Sequence, residues 1–490
     1  MAVSAVLIIL AAAVSADAKT LYVDRANGND AVSYAANGPS APWATLGRAA
    51  WGSTNRNAPN PNEAARAGDT VMVAAGTYSS PGSNGRFDPA FNPANSGTSS
   101  NPIVFQAQGT VNLTLSSGVG PVIGAEQRNY ITWRGFTINE ATAPPTPDTG
   151  VVTVHSSTGT TIEGCTIIGN PSRQWDDNHT GIRTEHAPFT TIRNNRISDI
   201  YNTGVLSNQE NGACIQSYFN GSGLLIENNE VSNCGAGIAL KAIQPNMTAP
   251  ATVRYNLIHH TESGIVYHIV LATASSPTRI YQNIIRDGQM ARYGGGTPVG
   301  IKIRHFTGAD QGPLHGKFVN NTIDNVQVGL LFLNEPMGNN GNMFWNNVIT
   351  NTSTAIMNEG SASNVNAAQM DFEHNLYFGF GTFALSSGAN YNFTNWRTAF
   401  SQDSASPASA TADPMYVNRQ GGDFRLQASS PARSGGVDYL DLNRNGSTGD
   451  TVPRGAYVTG NEVIGLTSGG GSNPSAPSAP SNLRIITSGE

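Results

Sequence analysis

The sequence predicts an all-β solenoid, and three observations support this. An apolar–Asn pattern recurs seven times between about residues 130 and 380, and its terminal Asn residues are 34, 27, 27, 38, 26 and 28 positions apart. A small residue followed by an alternating strand accompanies each copy. Only 12% of the residues are charged and 54 of 490 are glycine, which is unlike a helical bundle. Two short strands in a coil of roughly 25 to 30 residues is a solenoid period.

The recurring asparagines are predicted to be structural. One coil cannot close a core by itself, so its inward side chains stack on those of the coils above and below. Asparagine in a tight turn can also hydrogen-bond to its counterpart in the next coil. We therefore expect an asparagine ladder, formed by Asn195, Asn229, Asn256, Asn283, Asn321, Asn347 and Asn375.

Charge and the chain ends indicate the compartment and exclude some partners. The formal charge is −6, from 27 basic and 33 acidic residues, which argues against a chain-wide attraction to nucleic acid or anionic lipid. Residues 1–18 read as a signal peptide, since an apolar run ends at Ala16-Asp17-Ala18 and is shorter than the ~20 residues of a membrane span. We expect a secreted monomer that is not bound to membranes. Residues 461–490 have the composition of a Gly/Ser/Pro linker and the start of a following module.

The three cysteines are too few for a disulfide scaffold. At most one bridge can form, and Cys214 with Cys234 is the plausible pair. The cysteine spacing does not match a zinc site.

Motifs at both ends resemble those of known proteins. Leu21-Tyr-Val-Asp24 and Pro42-Trp-Ala-Thr-Leu46 near the start, with Asp413-Pro-Met-Tyr416 and Gly422-Asp-Phe-Arg-Leu426 near the end, are similar to the opening and closing segments of secreted right-handed parallel β-helix proteins of the pectate-lyase-like type. The resemblance implies an N-terminal cap and first coils over 19–130, with a cap helix at 42–52. It implies a parallel β-helix with a catalytic face and a closing segment over 131–460. This architecture carries several activities, so the resemblance specifies the fold more than the reaction.

Strand register predicts a candidate site. Successive side chains of a strand point to opposite faces, so aligning the coils gives the outward columns. One column contains Tyr218, Lys241, His268 and Arg304 on four consecutive coils, with Glu185 on the coil before them. Residues that flank this column and are predicted to bind substrate are Arg183, Gln216, Lys302 and His305, together with Glu185.

These residue types suit β-elimination of a uronate. The adjacent carboxylate must be neutralised, a base must remove the C5 proton, and an acid can protonate O4. We assign Lys241 or His268 as base, Tyr218 as acid, and Arg304 with Lys302 to the carboxylate. Neighbouring cations would lower the pKa of Lys241 and make it a better base. Residues 181–317 hold 11 basic and 8 acidic residues, which favours an anionic polysaccharide as the partner.

In kind, this set resembles the β-helix lyases that act on alginate, pectate or glycosaminoglycans, and alginate is favoured. A mannuronan C5-epimerase, a glycoside hydrolase and a non-catalytic glycan-binding β-helix remain alternatives. A hydrolase usually needs two carboxyl groups about 5 to 9.5 Å apart, whereas Glu185 and Glu359 are six coils apart. The strand face is therefore expected to offer no carboxylate pair, although loop acids could supply one: Asp176, Asp177, Glu210 and Glu262.

No metal site or other cofactor is assigned. The segment Asp441-Leu-Asn-Arg-Asn445-Gly446 matches the start of a calcium loop, but Val452 stands where a bidentate Glu is expected. An Asx-rich turn accounts for the same residues. Ca²⁺ therefore remains an alternative.

Overall fold

A computed structural model describes residues 18–172, 178–201, 211–219, 221–243, 247–270, 273, 275–289, 296–304, 315–333, 341–359, 371–386, 388–405 and 407–466. Within these ranges the chain winds into a parallel β-helix, because each strand pairs in parallel with its counterpart one coil later. His305 lies outside the described residues, as do Asp176, Asp177 and Glu210.

One face of the coil forms an 11-stranded sheet, parallel except for its last pair. The repeated small-residue pattern begins its strands. Its strands are Ile123–Glu126, Gly150–His155, Thr180–Glu185, Ala213–Tyr218, Ala236–Ile243, Ser263–Val270, Val299–Arg304, Val328–Leu333, Thr354–Asn358, Thr382–Ser386 and Ala389–Tyr391.

The other two faces form a 21-stranded sheet. A four-residue strand and then three long strands open it, and two ladders of short strands continue it along the helix axis. Its strands are Thr20–Val23, Thr70–Pro81, Ile103–Ser117, Ile131–Asn139, Thr161–Glu163, Thr166–Ile168, Thr191–Arg193, Arg196–Ser198, Leu225–Glu227, Glu230–Ser232, Thr252–Arg254, Leu257–His259, Thr278–Tyr281, Ile284–Arg286, Gly316–Val319, Thr322–Asp324, Met343–Trp345, Val348–Thr350, Phe372–Glu373, Leu376–Phe378 and Ala410–Thr411.

The asparagine ladder is present at the corner between the two short-strand ladders. Each of its side chains is buried and donates from Nδ2 to Oδ1 of the next, as from Asn256 to Asn283 at 2.9 Å and from Asn283 to Asn321 at 3.0 Å. The residue before each ladder position is left-handed, for example Asn320 with φ 54°. The prediction of a structural role for these asparagines is confirmed.

The interior of the coil is a stack of aliphatic side chains. Ile215, Ile238, Ile265 and Ile301 pair in register on successive strands and are fully buried. Each coil leaves its apolar edge open unless another coil covers it, so the core is continuous along the axis. This stack fixes which residues face outward on the site-bearing sheet.

Both ends of the stack are covered. The predicted cap helix is Leu46–Trp51, which starts at the N-cap Thr45 and packs in the core cluster with Leu21. A second α-helix, Phe393–Phe400, places Trp396 and Phe400 against the far end of the same core. The fold class predicted from the sequence, an all-β parallel β-helix with an N-terminal cap helix, is confirmed.

The C-terminal segment runs back along the outside of the coils. It contains the 3₁₀ turn Pro431–Arg433 and two antiparallel pairs. Its backbone carbonyls accept hydrogen bonds from the side chains of left-handed residues at the corners of the coils. For example, the carbonyl of Val463 accepts from Nδ2 of Asn228 at 2.6 Å. The antiparallel strands are Tyr416–Asn418 with Asp423–Leu426, and Gly436–Val437 with Thr451–Val452.

The predicted disulfide joins Cys214 and Cys234. Both cysteines lie in the buried core, and their sequence separation is 20 residues. Cys165 is a buried free thiol. The bridge ties together two adjacent coils beneath the site-bearing sheet.

Candidate active site on the outward face

One outward column of the 11-stranded sheet collects the predicted catalytic residues. Tyr218 pairs in register with Lys241, Lys241 with His268, and His268 with Arg304. Neighbouring strands of a sheet lie about 4.8 Å apart, so these four side chains span about 14 Å along the axis. The structure brings together all four residues selected from the sequence.

Lys241 is at the centre of this column and is held in place. It is only 5% exposed, and Nζ donates to Oδ1 of Asn211 and, at 3.5 Å, to Oδ1 of Asn178. His268 on the next strand is also 5% exposed. Both carboxamide partners precede strands of the same sheet, so the ammonium group is positioned by the face that presents it.

A second outward column contains the flanking residues. Arg183 pairs in register with Gln216, and Lys302 follows three strands later. Between them Ala239 and Val266 are fully buried, which separates the guanidinium of Arg183 from the ammonium of Lys302. Gln216 is also fully buried, and its carboxamide has no hydrogen-bond partner among the described residues.

Arg183 and Glu185 neutralise each other at the N-terminal side of the column. Nε and Nη2 of Arg183 lie 3.0 and 2.7 Å from Oε2 of Glu185, and the guanidinium carbon is 5.4 Å from the ring centre of Tyr218. Both side chains are at most 8% exposed. The ion pair therefore packs beside the phenol ring of Tyr218.

The loop residue Asp148 adds a second carboxylate beside Glu185. Nη2 of Arg86 lies 2.6 Å from Oδ2 of Asp148 and 3.7 Å from Oε2 of Glu185. Nη1 of Arg183 is 3.3 Å from the other oxygen of Asp148. The sequence left open that a loop acid could complete a carboxylate pair, and Asp148, which was not among the acids named from it, is such an acid. Register counts only strand positions, and Asp148 lies in the turn before the strand.

Two further residues of the column were not selected from the sequence. Glu126 pairs in register with His155, and His155 with Glu185. Oε2 of Glu126 is 2.6 Å from Nδ1 of His155, and both side chains are partly exposed. The signal was available, because the strand Gly150–His155 begins with a small residue and alternates like its neighbours. No ladder asparagine marks these coils.

Among the described residues, the other predicted carboxylates are Glu359 and Glu262. Glu359 comes directly after Asn358, which pairs in register with Phe332. It lies six strands from Glu185, as expected, and its backbone N–H donates to the carbonyl of Phe332. Glu262 lies near the start of its strand, where its backbone carbonyl accepts from the N–H of Val299. The acidic contacts of Glu126, Asp148 and Glu185 lie at the N-terminal end of the column.

The calcium-like loop forms an internal Asx network. Oδ1 of Asp441 accepts from the N–H of Gly446 at 3.1 Å, and the carboxamides of Asn443 and Asn445 both donate to Oδ2 of Asp450 at 2.7 Å. Over the described ranges, no three His, Cys, Asp or Glu side chains are grouped as metal ligands. None of the helices in the described part of the chain has the length and apolar character needed to cross a bilayer.

Comparisons with known proteins concern the fold. The family model described as "Right handed beta helix region" matches residues 123–308. No curated protein matches the sequence. Among solved structures, a pectate lyase has 14% identity and a TM-score of 0.45, covering 90% of this chain and 96% of its own. A rhamnogalacturonan lyase has 13% identity and a TM-score of 0.43, covering 82% and 91%.

A third solved structure is the catalytic domain of an α-1,3-glucanase bound to nigerose. It has 13% identity and a TM-score of 0.40, covering 70% of this chain and 63% of its own. The matched segment contains the strands from Ile123–Glu126 to Val299–Arg304, which carry the column from Glu126 to Arg304. The chain is thus a right-handed parallel β-helix.

Proposed function

We propose that the protein is a secreted polysaccharide lyase that cleaves a uronate-containing polysaccharide by β-elimination, with alginate as the favoured substrate. The observation that carries the proposal is the position of Lys241 between Tyr218 and His268 in one outward column, with Arg304 on the next strand. These are the base, acid and cation types that the reaction requires, on four adjacent strands of one sheet.

The reaction requires three groups in a fixed order. A carboxylate next to C5 makes the C5 proton weakly acidic, so a cation must offset the charge that develops when the proton leaves. A base removes that proton, and an acid protonates O4 as the glycosidic bond breaks. The column supplies cations at its C-terminal end and a phenol at its N-terminal end.

We assign the roles from the positions in the column. We assign Lys241 or His268 as the base and Tyr218 as the acid, while Arg304 and Lys302 hold the uronate carboxylate. Asn178 and Asn211 orient the ammonium group of Lys241. A base must be positioned before its proton affinity can matter, and the two carboxamides supply this positioning.

A second candidate, glycoside hydrolysis, is favoured by the Asp148–Glu185 pair. Glycosidases use two carboxyl groups about 5 to 9.5 Å apart, and Nη2 of Arg86 contacts both carboxylates. A hydrolase also needs a carboxylic acid that protonates the leaving oxygen. Arg86 and Arg183 form ion pairs with both groups, which makes lyase chemistry at Lys241 the better-supported proposal.

The test is ultraviolet absorbance during incubation with alginate, polygalacturonate, chondroitin and hyaluronan, with and without Ca²⁺. A lyase creates a C4–C5 double bond that absorbs, whereas a hydrolase releases reducing ends without this absorbance. An epimerase would exchange the C5 proton with solvent deuterium and leave the chain length unchanged. A glycan-binding β-helix would retain polymer without changing it.

The matched variants are Lys241→Ala and Lys317→Ala. Lys317 lies on the other sheet, where Nζ donates to the carbonyl of Gly341, so its loss should leave turnover unchanged. Loss of a positioned general base costs about 10²- to 10⁴-fold in rate, so Lys241→Ala should lose most activity with an unchanged thermal midpoint. Equal activity of the two variants would refute the assignment. Reducing ends without absorbance, abolished by Glu185→Gln, would favour the hydrolase.

A further inference from the structure

A glutamate, a histidine and a serine are linked at the N-terminal end of the outward column. Oε2 of Glu126 lies 2.6 Å from Nδ1 of His155, and Nε2 of the same ring lies 3.4 Å from Oγ of Ser156. The carboxylate contacts one ring nitrogen and the hydroxyl contacts the other. Serine hydrolases connect their nucleophile, general base and orienting acid in this order.

The three side chains are accessible and the imidazole is held in place. Ser156 is exposed, while His155 and Glu126 side chains are 18% and 19% exposed. The ring of Phe87 stacks on the imidazole at 4.0 Å with an interplanar angle of 6°. A hydroxyl nucleophile must be reachable by substrate and its base must not rotate away, and both conditions hold here.

We propose that Ser156, His155 and Glu126 form a second catalytic centre, which hydrolyses carboxylic esters of sugar hydroxyls. Oγ of Ser156 bonds to the ester carbonyl carbon while Nε2 of His155 takes the hydroxyl proton. The bond to the sugar oxygen then breaks, and the imidazolium returns this proton to the departing sugar hydroxyl. Water, deprotonated by the same nitrogen, next attacks the acyl-serine and releases the carboxylic acid and free Ser156.

The glutamate holds the imidazole in the tautomer that this chemistry needs. A carboxylate on Nδ1 keeps the proton at that nitrogen, which leaves Nε2 free to accept the serine proton. It also stabilises the imidazolium that forms. Glu126 is fixed from the other side, because its Oε1 accepts from the carboxamide of Gln127 at 3.2 Å.

Donors for the developing oxyanion flank the serine. The backbone N–H of Gln127 donates to the carbonyl of His155, and the backbone N–H of Ser156 donates to the carbonyl of Glu185. These two hydrogen bonds continue the register of the strands by one residue. Gln127 and His186 are therefore the neighbours of Ser156, each about 4.8 Å away along the sheet. The carboxamide of Gln127 carries a second N–H, and the imidazole of His186 can also donate.

The position of the triad argues for a glycan ester. Ser156 precedes the Lys241 strand by three steps of the same sheet, or about 14 Å. An extended polysaccharide on this face would pass both centres. The triad uses neither Lys241 nor Tyr218, so the ester hydrolase can be present whether or not the protein is a lyase.

The test measures hydrolysis of p-nitrophenyl acetate and labelling by a fluorophosphonate, with the modified peptide identified by mass spectrometry. Ser156→Ala is expected to lose roughly 10³-fold in kcat/KM and all labelling. Ser156 has φ 48°, close to the φ of 50° at His186 and 57° at Phe219, so the turn accepts several residue types and the variant should fold. The control is Ser429→Ala, an exposed serine whose hydroxyl lies 3.8 Å from Met415 Sδ.

Two further variants separate a triad from a merely reactive serine. His155→Gln should abolish labelling of Ser156, and Glu126→Gln should slow the reaction, because the imidazole is then no longer held in the required tautomer. Acetate release from an acetylated polysaccharide should follow the same order of variants. The proposal is overturned if wild-type protein is not labelled at Ser156, or if Ser156→Ala hydrolyses the ester as fast as Ser429→Ala.

Discussion

Replacing Asn283 by alanine should destabilise the protein strongly, although the substitution is far from the outward face. Oδ1 of Asn283 accepts from the backbone N–H of Asn256 at 3.1 Å and from its Nδ2 at 2.9 Å. Its own Nδ2 donates to the carbonyl of Val253 at 3.0 Å and to Oδ1 of Asn321 at 3.0 Å. Every one of these groups belongs to a neighbouring coil or strand and is buried.

The magnitude follows from which groups lose their partner. Nδ2 of Asn256 keeps its bonds to two carbonyls, but the backbone N–H of Asn256 is left buried without an acceptor. Orphaning a buried donor costs about 1–3 kcal/mol, and each lost bond between neutral groups adds about 1 kcal/mol. We expect Asn283→Ala to lower the free energy of unfolding by about 3–5 kcal/mol.

A second substitution tests the direction of the bonds. Asn283→Asp keeps the acceptor for Asn256 but replaces the donor with an oxygen that faces the carbonyls of Val253 and Tyr281 and Oδ1 of Asn321. A buried carboxylate among oxygens is more costly than a missing group. We expect a larger loss than for alanine, partly regained on acidification because protonation restores a donor.

The assay is urea unfolding followed by tryptophan fluorescence. The control is Asn62→Ala, since Asn62 is exposed and lies outside the ladder. A surface substitution of this kind usually changes stability by less than about 0.5 kcal/mol. If Asn283→Ala and Asn62→Ala shifted the midpoint equally, the ladder would not stabilise the coils and the reasoning would be refuted.

Two other predictions concern the core. Removing both Cys214 and Cys234 by alanine substitution should cost about 3 kcal/mol, because a bridge over a separation of 20 residues restricts the unfolded chain; an unchanged thermal midpoint would contradict this. Burial raises the pKa of Asp403 to about 6. Its contribution to stability is therefore full below pH about 4 and is lost as pH rises through about 6, at about 1.4 kcal/mol per unit. Asp403→Asn should flatten this part of the stability–pH profile, and an identical slope in both proteins would show that another group titrates.

The fold was predictable because its repeated features are visible in the chain. The ladder asparagines recur at nearly constant spacing, and the small residue before each outward strand marks the register. The register inferred from the sequence for Tyr218, Lys241, His268 and Arg304 is the one in the structure. The cap helix and the cysteine pair were likewise predictable.

The acidic end of the site was not predictable in the same way. Asp148 and Arg86 reach Glu185 from turns, and strand alternation says nothing about where a turn residue points. Arg86 contacts a residue 99 positions later, so local spacing gives no sign of the contact. The charge balance of the face therefore emerges only from the folded coils.

The missed pair Glu126 and His155 has a more specific cause. The backbone N–H of Cys165 donates to Oδ1 of Asn195, so Cys165 occupies the first ladder position that lacks an asparagine. In the preceding coil Phe136 occupies the ladder position, because the next residue, Thr137, pairs in register with Thr166, which follows Cys165. Counting coils by asparagine alone therefore started too late to include these two strands.

The spacing between the ladder and the outward column shows where the chain departs from its repeat. Lys241 follows its ladder asparagine by 12 residues, and so do His268, Leu333 and Glu359. Tyr218 follows Asn195 by 23 residues and Arg304 follows Asn283 by 21. In these two coils the added residues lie between the ladder and the column positions, so they enter the chain before the strands that carry Tyr218 and Arg304. The ladder thus keeps the outward column in register while neighbouring loops vary, and loops carried on a rigid scaffold are where binding residues of proteins are commonly found.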